Sequence, residues 1–124
     1  VSGGRSHWVH SFRHAIQGIA EALRSERHMR FHMAAAALVV ALALALKVPL
    51  TQWPWLFAAI AAVWTSELIN TAIERTVDLA SPQTHPLAKT AKDAAAGAVL
   101  VASLFAAAIG CIVLGPPLWK LCFG

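Results

Sequence analysis

The sequence predicts an all-α membrane protein, an N-terminal amphipathic surface helix followed by three transmembrane helices, and three observations carry that reading. Hydrophobic residues fill 58% of the 124 positions and charged residues only 13%, far from the balance of an ordinary soluble domain. Three apolar stretches, 31–48, 54–74 and 94–114, are each long enough to cross about 30 Å of hydrocarbon at about 1.5 Å per helical residue. Eight of the ten Lys and Arg lie before the first stretch (Arg5, Arg13, Arg24, Arg27, Arg30) or between the second and third (Arg75, Lys89, Lys92). By the positive-inside rule the N-terminus and the 75–93 connection face the cytoplasm, with Lys47 and Lys120 on the far side. The net charge of +4 is therefore topological, and no basic patch suited to nucleic acid is apparent.

The whole chain, 1–124, reads as one domain. Within 1–30, Trp8, Phe12, Ile16, Ile19 and Leu23 recur every three or four positions, with His10, Arg13, Gln17, Glu21 and Arg24 elsewhere on the wheel. Such a helix lies in the plane of the membrane surface. The first span, free of polar groups from Ala34 to Leu46, reads as scaffold and stops before Pro49. Pro54 suits the first turn of the second span, and Trp53 and Trp55 form an interfacial anchor there. The run Ser81-Pro82-Gln83-Thr84-His85-Pro86 is a turn. After it, Ala94 to Ala98 are uniformly small, so a neighbouring helix can approach closely. Gly115-Pro116-Pro117 is expected to end the third span.

The chemistry sits on the second span. Glu67, Asn70, Glu74 and Asp78, at offsets of 0, 3, 7 and 11 residues, return to within roughly 60° of the Glu67 direction on one helical face at about 100° per residue. A carboxylate is costly near the bilayer centre and less so at its edge, so a small protein that keeps one there is usually using it. With the predicted topology, Glu26 and Arg30 before the first span, and Lys92 and Asp93 before the third, reach the same level.

These residue types suit phosphoryl transfer. Mg²⁺ takes one or two protein carboxylates plus phosphate oxygens and water, a lysine can hold a phosphate, and a carboxylate can deprotonate an acceptor hydroxyl. Glu67 lies deepest, which points to an acceptor dissolved in the membrane. Each member has a structural reading too: an intramembrane Glu or Asn can join helices, and Glu26 with Arg30 can be a simple i to i+4 ion pair. A zinc site is disfavoured, because His10/His14 and His28/His32 each supply only two ligands where three or four are needed. Cys111 and Cys122 lack metal-ligand spacing, and no GxxxxGK[ST] or GxGxxG loop is present. The alternative reading is a small proton-coupled transporter working through Glu67. Against it, the carboxylates crowd one end of the bundle, and nothing ionisable occupies the outer half of the second span.

The run Glu67-Leu68-Ile69-Asn70-Thr71-Ala72-Ile73-Glu74, followed by Val77-Asp78, by His85-Pro86-Leu87-Ala88-Lys89 and by Ala91-Lys92-Asp93-Ala94-Ala95-Ala96-Gly97-Ala98, strongly resembles the prokaryotic diacylglycerol kinase and undecaprenol kinase family. Residues 26–32, ERHMRFH, resemble that family's segment before its first span. The resemblance implies a homotrimeric bundle in a bacterial plasma membrane, with active sites shared between protomers, that moves the ATP γ-phosphate to a lipid hydroxyl with Mg²⁺. It implies that Glu67 is the catalytic base and that Glu26 and Glu74 hold the metal. It places Glu26, Glu74, His85, Lys92 and Asp93 against the nucleotide, and Asn70, Arg30 and Asp78 in support. The HPLAK and AKDAAAGAVL segments are closer to the undecaprenol branch than to the enterobacterial diacylglycerol branch.

Overall fold

The computed structural model describes residues 3–124 as four α-helices: α1 (Gly3–Ser25), α2 (Arg27–Ala45), α3 (Trp53–Ala80) and α4 (Pro86–Phe123). A short 3-10 turn, Leu50–Gln52, precedes α3, and no strand occurs among the described residues. The last three helices are long and apolar enough to cross a membrane, yet only 11%, 28% and 11% of their most apolar windows are buried within the chain. Leu38, Phe57 and Leu104 are exposed. Such faces are liabilities in water but are well solvated by hydrocarbon.

Along α1 only Ala22 is buried among the described residues, while Trp8, Phe12 and Ile16 are exposed on one side. The break between α1 and α2 is a single residue, Glu26, in extended conformation. Its side chain makes no capping bond to α2 and is free to reach elsewhere. The open carbonyls of Leu23 and Arg24 at the end of α1 accept from the Arg30 guanidinium at 3.2 and 2.8 Å. Arg30 thus ties the two helices as a C-terminal cap, a favourable place for a cation. The Glu26–Arg30 ion pair that their spacing suggests does not form, because each side chain has a better partner.

At its other end α2 closes in a Schellman turn, with Lys47 N–H donating to Leu44 O, Val48 N–H donating to Ala43 O, and Lys47 at φ 55°. A lysine in this left-handed conformation is strained by about 1–2 kcal/mol. The turn aims Val48 back at Ala43, and both join Leu56, Val113 and Leu114 in the buried core of the molecule. Val39, Leu42, Trp53, Ile109 and Leu118 pack around them. The core therefore locks α2, α3 and α4 together at the Lys47 end, opposite the acidic residues.

From that knot α3 and α4 run antiparallel and form the main helix pair. At about 1.5 Å per residue, the 28 residues of α3 span about 42 Å, so its last turns extend past a hydrocarbon layer of about 30 Å. The connection is tight: the His85 ring caps α4 by accepting from Leu87 N–H at 3.1 Å, and Pro86 fits the first helical position. The expected stop at Gly115-Pro116-Pro117 is not observed, since α4 continues through both prolines to Phe123. Each proline removes one backbone donor, but membrane helices tolerate this where neighbours compensate. Here Val113, Leu114 and Leu118 are seated in the core on either side of the prolines.

Leu56 is 1% exposed at the centre of this knot. Leu56→Ala should lower stability by about 2–5 kcal/mol, read as the shift in reversible unfolding of the detergent-solubilised protein.

Candidate active site

The polar face of α3 is graded by depth. Glu67 is 6% exposed, Asn70 and Glu74 are half-buried, and Asp78 is open. Glu67 and Asp78 are engaged from other helices, and Asn70 and Glu74 by each other. Glu67 Oε1 lies 3.1 Å from His32 Nε2 on α2. With Glu67 in the carboxylate form, which only accepts hydrogen bonds, the donor in this contact is the imidazole Nε2–H. One turn nearer the core, Trp64 Nε1–H donates to the His32 carbonyl at 3.4 Å, a second tie between α2 and α3.

Asn70 Nδ2 donates to Glu74 Oε1 at 3.4 Å along the same helix. Its Oδ1 is buried with no partner among the described residues. The Glu26 carboxylate, freed by the helix break, meets Arg75 at 3.6 Å, and Arg75 also donates to Ser25 Oγ. Since Arg75 follows Glu74 directly, Glu26 is brought to the level of Glu74 on α3. At the turn, Lys92 Nζ on α4 donates to Asp78 Oδ1 at 2.5 Å. Lys89 pairs with Asp93 at 2.6 Å, and the hydrogen bond and charge of Asp93 hold the Lys89 ammonium above its ordinary pKa. Asp78, Gln83, His85, Lys89 and Lys92 line a polar cleft of about 310 Å³ at this end.

Within one chain, then, the predicted residues form successive pairs rather than a single ring. Among the described residues, no ion pair joins Lys92 to Glu26, Glu67 or Glu74. Arg30 lies apart from the acidic face, on the end of α1.

The donor set fits a divalent ion carried by a phosphate ligand. Among the described residues there is no group of three or more His, Cys, Asp or Glu able to cage a metal. Mg²⁺ does not need one, because it binds through one or two carboxylates and keeps phosphate oxygens and water. The unpaired Asn70 Oδ1 beside Glu74 adds a neutral oxygen in the same place. Glu26 and Glu74 could contribute one carboxylate each, Glu26 by exchanging its Arg75 partner.

Three participants escaped the sequence reading: His32, Trp64 and Arg75. His32 was visible as half of an i to i+4 histidine pair and as the end of the ERHMRFH segment, neither of which shows its partner, which lies 35 positions away. A second cleft, of about 200 Å³, opens beside His32 between α2, α3 and α4. Its other walls include Val39, Leu56, Val63, Trp64 and Ala106, so it is apolar along its length with the imidazole at one end.

Comparison with known proteins follows the same residues. The family model described as prokaryotic diacylglycerol kinase matches residues 13–114. An undecaprenol kinase of Bacillus subtilis (strain 168) is 45% identical over 108 residues, covering 87% of this chain and 88% of that protein. A diacylglycerol kinase of Synechocystis sp. is 40% identical over 112 residues, 90% of this chain and 64% of that one. A diacylglycerol kinase of Haemophilus influenzae is 26% identical over 99 residues, 80% of this chain and 84% of that one. The transporter alternative finds no support among them.

The Asp78–Lys92 pair is water-exposed, with 65% and 38% of the side chains open. Asp78→Asn should therefore change the unfolding free energy in detergent by less than about 1 kcal/mol. A larger loss would mean that the pair fastens α3 to α4.

Proposed function

The chain belongs to the prokaryotic diacylglycerol kinase family, and from that premise we propose that it is an ATP-dependent lipid kinase whose acceptor is a membrane-dissolved primary alcohol, undecaprenol in preference to diacylglycerol. The observation that carries this reading is the placement of Glu67, a buried carboxylate at the seam between an apolar helix and a polar face. A water-soluble acceptor has no reason to present its hydroxyl at that depth, whereas a lipid alcohol does. The apolar cleft ending at His32 offers room for the first part of a hydrocarbon chain. The undecaprenol kinase relative, with its higher identity over nearly the full length of both chains, favours that acceptor.

In the reaction, Glu67 takes the proton from the lipid hydroxyl as its oxygen bonds to the γ-phosphorus of ATP. The bond from that phosphorus to the bridging oxygen breaks, and ADP leaves with the electron pair. Glu26 and Glu74 would hold Mg²⁺, which when bound neutralises charge on the phosphate oxygens. Lys92 supplies a point charge to the phosphates, and Asp93 and His85 border the nucleotide at the turn. Asn70 holds Glu74 in place, Asp78 holds Lys92, and Arg30 fixes the helix joint from which Glu26 projects. The site faces the cytoplasm, where ATP is, in keeping with the basic residues at this end.

We also propose a homotrimer with sites completed between protomers. Supporting it is an open groove of small side chains between α3 and α4, including Ala58, Ala62, Ala94 and Ala98, narrow enough for a helix of a second copy to approach closely.

The test is transfer of γ-labelled phosphate from ATP in vesicles containing either undecaprenol or diacylglycerol, with the product identified by chromatography. Labelled undecaprenyl phosphate is expected, and Glu67→Gln should cut the rate by about 100- to 10,000-fold with assembly intact. Wild-type turnover in that variant rejects the role of Glu67. Solute flux without ATP consumption rejects the kinase.

A further inference from the structure

We propose that His32 is a positioning residue for the reaction: its Nε2–H holds Glu67 Oε1 and thereby presents the other carboxylate oxygen to the acceptor hydroxyl. The proposal rests on the kinase reading above and adds a residue to it.

Four observations support the assignment. The Glu67 carboxylate and the His32 ring are 7% and 17% exposed, so neither is satisfied by bulk water. Among the described residues His32 is the hydrogen-bond partner of Glu67, because Asn70 is turned to Glu74 and Lys92 to Asp78. His32 is itself held: Trp64 fixes its backbone through the carbonyl, and Phe31 meets the ring edge-on at 5.4 Å between centroids. Finally, His32 lines one end of the largely apolar cleft, and its 3.1 Å contact with Glu67 sets the carboxylate beside that end.

The chemistry follows from the geometry. A glutamate on a helix has several rotamers, and in an apolar setting an unheld carboxylate turns toward any available donor, such as the Asn70 amide one turn away. A base must be aligned with the proton that it removes, and small misplacements are expensive in rate. One fixed donor on Oε1 leaves Oε2 free and defines its direction. The ordinary alternative is that the pair only joins α2 to α3. That role predicts altered stability or assembly and no selective change in turnover.

The experiment compares His32→Leu, His32→Asn and His32→Gln in reconstituted vesicles, with kcat and the KM for lipid and for ATP measured separately. Glutamine places an amide N–H three bonds beyond Cβ, as histidine does for Nε2, whereas asparagine falls one bond short. Leu and Asn variants should lose about 10- to 100-fold in kcat with both KM values within about threefold of wild type. The Gln variant should recover to within about threefold of wild type. Unchanged kcat in the Leu or the Asn variant overturns the proposal, as does a Gln variant no better than Leu; the lipid kinase reading survives either result. Should the Leu variant fail to assemble, the polar Asn variant decides by the same criterion. A wild-type protein that phosphorylates no lipid removes the kinase reading and this proposal together.

Discussion

A carboxylate buried in an apolar helix must be given a hydrogen-bond donor, and the arrangement of this molecule follows from how that demand is met at Glu67. Water is scarce at that depth, so the donor has to be protein, and it comes from α2 as His32. The pairing sets which turn of α2 stands beside which turn of α3. The Trp64 bond to the His32 carbonyl repeats the same registration one turn away. At the opposite end the cluster around Leu56, Ala43 and Val113 fixes the helices by packing. Two unlike devices, one apolar and one polar, thus clamp the bundle at its two ends, and the space between them is the apolar cleft.

The acidic face of α3 makes sense as a gradient. Moving from Glu67 to Asp78, burial falls and the partner changes from an imidazole, through a side-chain amide, to the Lys92 ammonium. Charge is expensive where the surroundings are apolar and cheap where they are wet, so the stronger ionic groups collect at the water-exposed end of α3. Three other elements read this one face: α2 through His32, the α1–α2 joint through Glu26, and α4 through Lys92. A lipid entering from the hydrocarbon side and a nucleotide entering from water would meet along it.

The spans and the polar face were legible in the sequence because both are written in one-dimensional pattern, apolar length in the first case and helical spacing in the second. Pairings were less so. Glu26 and Arg30 have ion-pair spacing, yet a one-residue break between helices sends Glu26 to Arg75 and Arg30 to the carbonyls of α1. Local spacing carries no information about such a break. His32 was hidden for a related reason, since its meaning depends on a contact across 35 residues. Helix α4 outruns Gly115-Pro116-Pro117 because the usual effect of proline is a statement about an isolated helix, and here Val113, Leu114 and Leu118 are already committed to the core. Lys47 shows the converse: a left-handed C-terminal turn of the kind usually announced by glycine is carried by lysine, and packing of Val48 keeps it there.

Magnitudes decide whether the His32–Glu67 pair is there for strength. Side-chain hydrogen bonds between membrane helices average only about 0.6 kcal/mol, whereas placing an ionised side chain at the centre of a membrane helix costs about 2.5–3.5 kcal/mol. Glu67 lies toward the polar end, where the penalty is smaller, but nothing in these numbers makes the pair a net source of stability. Val, Leu or Ala at both positions would join α2 and α3 at least as well, as they do at the other end of the bundle. The same comparison applied to Asp78 and Lys92 gives a near-neutral balance, because both are wet. Function is therefore the better explanation for the deep pair than for the shallow one. The residue that a stability argument would remove first is the one to which the proposed reaction assigns the proton transfer.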